Sequence, residues 1–232
     1  MGNADARKGR LIAICGIDGS GKATQTELLA ARARETGRQV QCISFPRYGQ
    51  SFFADLIERY LRGEFAARAA DVDPCLAALP YALDRWQAAP TIRTWLAGGC
   101  LVVCNRYVPA NMAHQGSKIR QEPARRQFFA WVVELEYGVL KLPPPHLHVL
   151  LDAPPALAME LTRSRRTAAG RADAQDIHEN DLDYLEATAE AYRQIAGDAP
   201  DAWAVVPCAR AGAMLPREEI ADGVWEAVRD LL

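Results

Sequence analysis

The chain has 232 residues, half of them hydrophobic and about a quarter charged, which is enough apolar material for the core of one α/β domain. Lys plus Arg number 27 against 29 Asp plus Glu, a formal charge of −2 that argues against a general nucleic-acid or membrane-surface binder. The six cysteines form no CxxC pair and have no histidines at zinc-finger spacing, so they read as buried free thiols in a reducing compartment, the cytoplasm.

Residues 1–9 are polar, lack the apolar core of a signal peptide, and read as a flexible lead-in to a single domain over 10–232. No apolar run is long enough to span a bilayer. Leu11 to Cys15 is an apolar run ending at glycine, hence a buried strand; Thr24 to Thr36 is a helix stopped at Gly37. Val40 to Phe45 is a second strand, closed by Pro46. Helical patterns follow at about 51–62 and at 76–97, the latter interrupted by Pro80 and Pro90 and ended by Gly98-Gly99. Leu101 to Cys104 is the third strand, and Pro123 starts a helix running to about Tyr137.

His146 to Leu151 is the fourth strand, and a helix covers about 155–163. Arg163 to Gln175, rich in Arg, Ala and Gly and without an apolar stripe, reads as a loop; Asp176 to Ala196 is helical and Trp203 to Val206 is the fifth strand. Ile220, Val224, Val228 and Leu231 recur at helical spacing. Strands alternating with helices predict a parallel sheet covered on both faces, with ligands at the carboxyl ends of the strands.

The chemistry begins at Gly16-xxxx-Gly21-Lys22, which follows a strand and opens a helix, as a phosphate loop requires. Gly16, Gly19 and Gly21 let backbone N–H groups crowd a phosphate, Ser20 and the helix N-terminus add donors, and Lys22 can reach the β- and γ-phosphates. Ala23 stands where Ser or Thr usually contacts Mg²⁺; Thr24, one residue on, can bond a phosphate instead.

Several segments then match a family in order. Gly16-Ile17-Asp18-Gly19-Ser20-Gly21-Lys22-Ala23-Thr24-Gln25 resembles the opening of thymidylate kinases, and Phe45-Pro46-Arg47-Tyr48-Gly49 their FPRY segment. Ala82-Leu83-Asp84-Arg85 resembles their central helix motif, and Asn105-Arg106-Tyr107 their DRY motif. Asn111-Met112-Ala113-His114-Gln115-Gly116 and Asp176-Ile177-His178-Glu179 resemble the two that follow. The likeness runs from about Leu11 to Ala196. It implies a P-loop kinase fold: a five-stranded parallel sheet with helices on both faces and a short mobile lid at about 163–175. It further implies a homodimer, ATP as donor with Mg²⁺, and transfer of the γ-phosphate to a deoxynucleoside monophosphate, dTMP becoming dTDP.

By that resemblance Arg47 and Arg106 clamp the acceptor monophosphate, since guanidinium forks bind phosphate oxygens in pairs. Arg85, assisted by Gln115, reads the thymine edge, and Tyr81 stacks on the base or simply packs in the core. Phe45, Tyr48, Asn111 and His114 line the base and sugar pocket. Asp18 faces the acceptor, and Asp176 follows the lid. The loop Ile17 to Ser20 holds no arginine, so the charge that stabilises the transferring phosphate falls to the lid arginines among Arg163, Arg165, Arg166 and Arg171.

Five positions depart from the family pattern: Ala23, Asn105 for the DRY aspartate, His114 for a tyrosine near the sugar 2′ position, His178 for an aromatic near the lid, and Cys15 for an acid. They leave open how Mg²⁺ is held and how deoxyribose is selected. They also leave three other readings open: a kinase for a deoxynucleoside or another nucleotide, a weakly catalytic nucleotide-binding homologue, and a P-loop regulatory ATPase.

Overall fold

A computed structural model describes residues 8–66, 71–168 and 181–232. Its centre is a parallel sheet of β1 (Arg10–Cys15), β2 (Val40–Ser44), β3 (Leu101–Asn105), β4 (Leu147–Asp152) and β5 (Trp203–Pro207), in the order β2-β3-β1-β4-β5. Of the three inner strands, β1 and β3 are almost wholly apolar because both their faces are covered. Leu11 to Cys15 and Leu101 to Cys104 are all buried, in register as Ile12 opposite Val103 and Ala13 opposite Cys104.

Helix α1 (Lys22–Glu35) packs with α8 (Arg217–Val228), which also covers β4 and β5. A second group consists of α2 (Phe52–Leu61), α3 (Pro74–Ala97), α4 (Val108–Gly116), α5 (Glu122–Val133) and α7 (Leu182–Asp198). Within it α4 touches α3, α5 and α7. Helix α6 (Pro155–Ala168) follows β4, and a two-strand hairpin, β6 (Ala209–Arg210) and β7 (Ala213–Met214), precedes α8. Side chains cap several helices: Ser51 Oγ accepts from Ala54 N, Asp73 from Cys75 N and Leu76 N, and Asp181 from Tyr184 N.

Three expectations change. Helix α3 is continuous through Pro80 and Pro90 rather than interrupted. Each proline leaves a carbonyl four residues back without its N–H partner, at Leu76 and Trp86, and both of those residues lie on the exposed side of the helix rather than in the core. Meanwhile the inner face, Ala77, Ala78, Ala82, Ala88 and Ala89, packs closely enough to hold the helix together. Second, residues 163–168 are helical: Arg163, Arg165 and Arg166 ride on the last turns of α6, not on a loop. Arginine and alanine are strong helix formers, and a helix that projects from the core needs no apolar stripe. Third, the helix from Pro123 ends as α5 at Val133 and widens into a π-helical stretch over Glu134–Val139, in which Leu140 N bonds Leu135 O at 2.9 Å.

Four of the six cysteines are buried as expected, but Cys42 is exposed and Cys75 only half-buried; all six are free. Among the described residues no helix is long and apolar enough to cross a membrane.

Candidate active site

The loop from Gly16 to Gly21 joins β1 to α1 at the carboxyl edge of the sheet. Gly19 has φ +83°, and a Cβ there would overlap the carbonyl oxygen of Ala158, so the loop meets α6 backbone to backbone where only glycine fits. Gly21 is the N-cap of α1, and no side chain caps that helix, which leaves its first N–H groups facing outward for an anion. Lys22 folds back into its own loop. Its Nζ donates to Ile17 O at 2.6 Å and lies 3.6 Å from Asp18 Oδ1. Burial, then the Arg106 charge, push this ammonium down to about 7, against Asp18 and Cys15, which favour its charged form.

Among the described residues, a cavity opens on each side of the loop. The larger, about 420 Å³, is lined by Asp18, Phe45, Tyr48, Tyr81, Arg85, Asn105, Arg106, Asn111, His114 and Gln115, with Ser44, Pro46, Leu61, Ala110 and Tyr184 completing the wall. The smaller, about 260 Å³, is lined by Gly19, Ser20, Gly21, Thr24 and Gln25, with Leu161 and Arg165 from α6 and Met214, Leu215, Arg217 and Ile220 from the hairpin and α8. Successive residues of one loop, Asp18 and Gly19, thus open onto different cavities.

At the mouth of the larger cavity stands Arg106, directly after β3. Its φ of 65° lies in the left-handed region, a strain of about 1–3 kcal/mol for a residue with a Cβ. Its backbone N–H is tied to Ile14 O at 2.9 Å, which holds that turn. Its Nη2 donates to Asp18 Oδ1, and its Nη1 lies 2.8 Å from His114 Nε2. A guanidinium can only donate, so Nε2 accepts; His114 Nδ1 then carries the proton and donates to Tyr184 Oη at 2.8 Å. Burial works against the Asp18 carboxylate, but Arg106 and then Lys22 outweigh it and hold the group below the usual carboxylate range. Burial opposes the Arg106 charge in turn, and Asp18 more than restores it.

At the cavity's other wall Arg85 is 2% exposed and forms a two-pronged ion pair with Glu136, Nε to Oε2 at 2.6 Å and Nη2 to Oε1 at 2.7 Å. Asn111 and Gln115 are buried, and Asn111 Oδ1 and Gln115 Oε1 have no partner. Phe45 is buried against Tyr107, with ring centroids 5.9 Å apart.

Most of the expected site residues therefore come together. Arg47 does not join them. Its Nε and backbone N bond the two carboxylate oxygens of Asp84 at 2.9 Å each, and its Nη2 bonds Asp84 O and Gln87 Oε1. Asp84 is 1% exposed, and this buried carboxylate draws the guanidinium to α3 and away from the larger cavity. Arg165 lines the smaller cavity, Arg163 is exposed nearby on α6, and Ala23 is exposed at the start of α1. Asp176, His178, Glu179 and Arg171 lie outside the described residues. Sequence reasoning missed Tyr184 and Glu136, each of which looks like one more polar residue on a helix. It also missed the hairpin wall of the smaller cavity, whose only signal is Ala211-Gly212 at φ 50° and 78°.

A family model described as "Thymidylate kinase" matches residues 14–212. The chain is 38% identical over 187 residues to the thymidylate kinase of Mycobacterium tuberculosis (strain ATCC 25618 / H37Rv), covering 80% of this chain and 85% of that one. It is 32% identical over 219 residues to that of Solidesulfovibrio magneticus, covering 94% and 97%. In fold it is similar to the solved thymidylate kinase of Candida albicans, with a TM-score of 0.72, 20% identity, and coverage of 96% and 92%. With two cavities on either side of one phosphate loop and a family match spanning most of its length, this chain belongs to the thymidylate kinase family and is a nucleoside monophosphate kinase.

Proposed function

We propose that the chain transfers the γ-phosphate of ATP to dTMP, giving dTDP and ADP, by in-line displacement. The observation that carries this reading is the placement of Asp18 and Gly19, neighbours in one loop, on the walls of two separate cavities. The donor lies over the glycine side, its phosphates on the N–H groups from Gly16 to Thr24 and on Lys22. The acceptor fills the larger cavity, with its base toward Arg85, Asn111 and Gln115, beside Tyr81 and Phe45. Its sugar lies near His114 and Tyr48, and its phosphate at Arg106. An acceptor phosphate oxygen attacks the γ-phosphorus, the β–γ bridging bond breaks, and the bridging oxygen leaves with ADP.

Little covalent help is needed, so charge and position carry the catalysis. Arg106 faces the acceptor side, and Arg165, with Arg163 exposed nearby on the same helix, supplies positive charge on the donor side. In this reading Arg47 acts through Asp84, bracing the segment after β2 against α3, rather than by touching phosphate.

Mg²⁺ fits the residues present only as an ion held mainly by the substrate phosphates and water. Among the described residues no group of three His, Cys, Asp or Glu can hold a metal. Asn105 Oδ1, buried at the end of β3 without a partner, and Asp18 are the oxygens that would face it. When bound, it would neutralise charge on the phosphate oxygens.

The direct test is to incubate the protein with ATP, Mg²⁺ and a panel of nucleosides and monophosphates and to follow ADP. Turnover with dTMP well above the rest supports the reading; turnover with none sinks it. A further expectation concerns Lys22. Bound triphosphate restores the counter-charge its burial denies it, so ATP binding should raise its pKa from about 7 and take up a proton. Below that value Lys22 is already charged and the uptake vanishes. Near pH ~8.5, where the phosphates are fully ionised, it approaches one proton. Calorimetry in buffers of differing ionisation enthalpy reads this directly, and zero uptake at the higher pH refutes it.

A homodimer in the cytoplasm completes the proposal. Its support is the exposed apolar surface of Leu76 and Trp86 on α3 and Trp131 and Val133 on α5, together with the free thiols. Sedimentation equilibrium should return twice the chain mass; a monomer at tens of micromolar would exclude the dimer.

A further inference from the structure

Glu136 lies outside every motif of the site, yet it is 0% exposed and meets two of the residues that line the acceptor cavity. Its Oε1 accepts from Arg85 Nη2 at 2.7 Å and from Asn111 Nδ2 at 2.9 Å, while Oε2 takes Arg85 Nε at 2.6 Å. The second N–H of Asn111 goes to Ala78 O at 3.1 Å. Both neighbours of that amide nitrogen are acceptors only, a carboxylate and a carbonyl. The amide therefore cannot turn over without setting its own oxygen against two other oxygens. Oδ1, buried and without a protein partner, is left for a ligand. Arg85 likewise spends Nε–H and one Nη2–H on Glu136 and keeps the N–H groups of Nη1 free to donate.

Both residues line the cavity, so Arg85 is left with donors to give there and Asn111 with an acceptor, and Glu136 fixes which is which from behind. Thymine carries the complement, a keto oxygen beside an N–H. Cytosine carries the reverse, an amino group beside a bare ring nitrogen, and would set like against like at both positions.

We propose that Glu136 is a positioning residue that sets base choice: by accepting from Arg85 and Asn111 at once, it fixes which atoms of the wall donate and which accept. The idea rests on the acceptor reading of the larger cavity given above. A site that leaves its own buried polar groups unpaired against the wrong substrate discriminates far better than one that relies on size.

Glu136→Gln keeps the shape but puts an NH2 where one carboxylate oxygen stood. With that NH2 at the Oε1 position, Arg85 Nη2–H and Asn111 Nδ2–H both face N–H, and the Asn111 amide no longer has an acceptor on each side. Turning the amide then satisfies the Gln N–H while setting Oδ1 against Ala78 O alone, so neither order is enforced and Nδ2 becomes available to the cavity. The expected result is a rise of about tenfold in the ratio of kcat/KM for dCMP to that for dTMP. It should come mainly from a higher KM for dTMP, with kcat little changed. A merely structural role would lower both substrates by one common factor, and an unchanged ratio overturns the proposal.

If Glu136→Gln does not fold, Glu136→Asp keeps the charge opposite Arg85 and withdraws it from Asn111. There the ratio should rise by about threefold, and no rise is equally fatal. Dissociation constants of dTMP and dCMP, measured by calorimetry, give the same ratio without turnover. An inactive wild-type protein would therefore sink the kinase reading, while a flat ratio among the variants would sink only this one.

Discussion

Arg106→Ala should lower kcat/KM for dTMP by about 100-fold or more, the scale of losing a group that stabilises developing charge. The residue is held for this task at some expense. It sits at φ 65°, where a side chain is strained, and its guanidinium is clasped by Asp18 on one side and His114 on the other. Both contacts pre-orient the fork toward the cavity before any substrate arrives. Removing it also strips Asp18 of the largest of the charges that hold its carboxylate below the usual range. The acceptor phosphate would then meet a less compensated anion, so KM for dTMP should rise as well as kcat fall. Steady-state kinetics decide this. A change within twofold would place the acceptor phosphate elsewhere in the cleft.

Arg85→Ala should do damage of a different kind. Glu136 would remain at 0% exposure with no counter-charge, and breaking one side of a buried ion pair costs about 3–5 kcal/mol. Thermal denaturation should show a loss of several degrees, and base selectivity among monophosphates should relax more than the best turnover slows. The cost comes from orphaning Glu136, not from the net strength of the pair. Replacing both partners, Arg85→Met with Glu136→Leu, should therefore recover much of the stability while leaving base choice relaxed. A single variant that melts with the wild type would show that the pair is not buried as described. Unchanged selectivity would show that Arg85 does not meet the base.

How far the sequence led differs from element to element. Strands β1 and β3 announced themselves as unbroken apolar runs, β1 set between glycines and β3 preceded by them, because strands buried on both faces have no alternation to hide in. The phosphate loop was equally plain, since its glycines and lysine are needed at fixed spacing whatever surrounds them. Helix α4 was not seen as a helix. Val108 to Gly116 is buried nearly all round, so it has no polar face to mark a period, and Pro109 at its start reads as a break. Helix α3 was seen in pieces for the same reason: a local rule about proline was overridden by packing that the sequence does not display.

At the site, many of the residues that line the two cavities were legible through the resemblance. Those that hold them were not. Asp84 drew Arg47 off the acceptor cavity, and its signal was only an acid one place before an arginine in a helix. Tyr184 receives the Nδ1–H of His114 from 70 residues away. Such second partners are chosen by the fold in three dimensions, and nothing in the spacing of a single chain records the choice.

The π-helical stretch at Glu134–Val139 carries one residue more than an α-helix would place there. Each residue of an α-helix turns the chain by about 100°. Deleting one residue ahead of Glu136, Glu134 or Leu135, would let the ladder close normally, and it would swing the Glu136 carboxylate away from Arg85 while leaving every side chain of the cavity wall in the sequence. Chain length at one turn, rather than the identity of any contacting residue, would then decide which nucleobase the kinase prefers. A one-residue gap in this turn would change substrate preference without altering a motif.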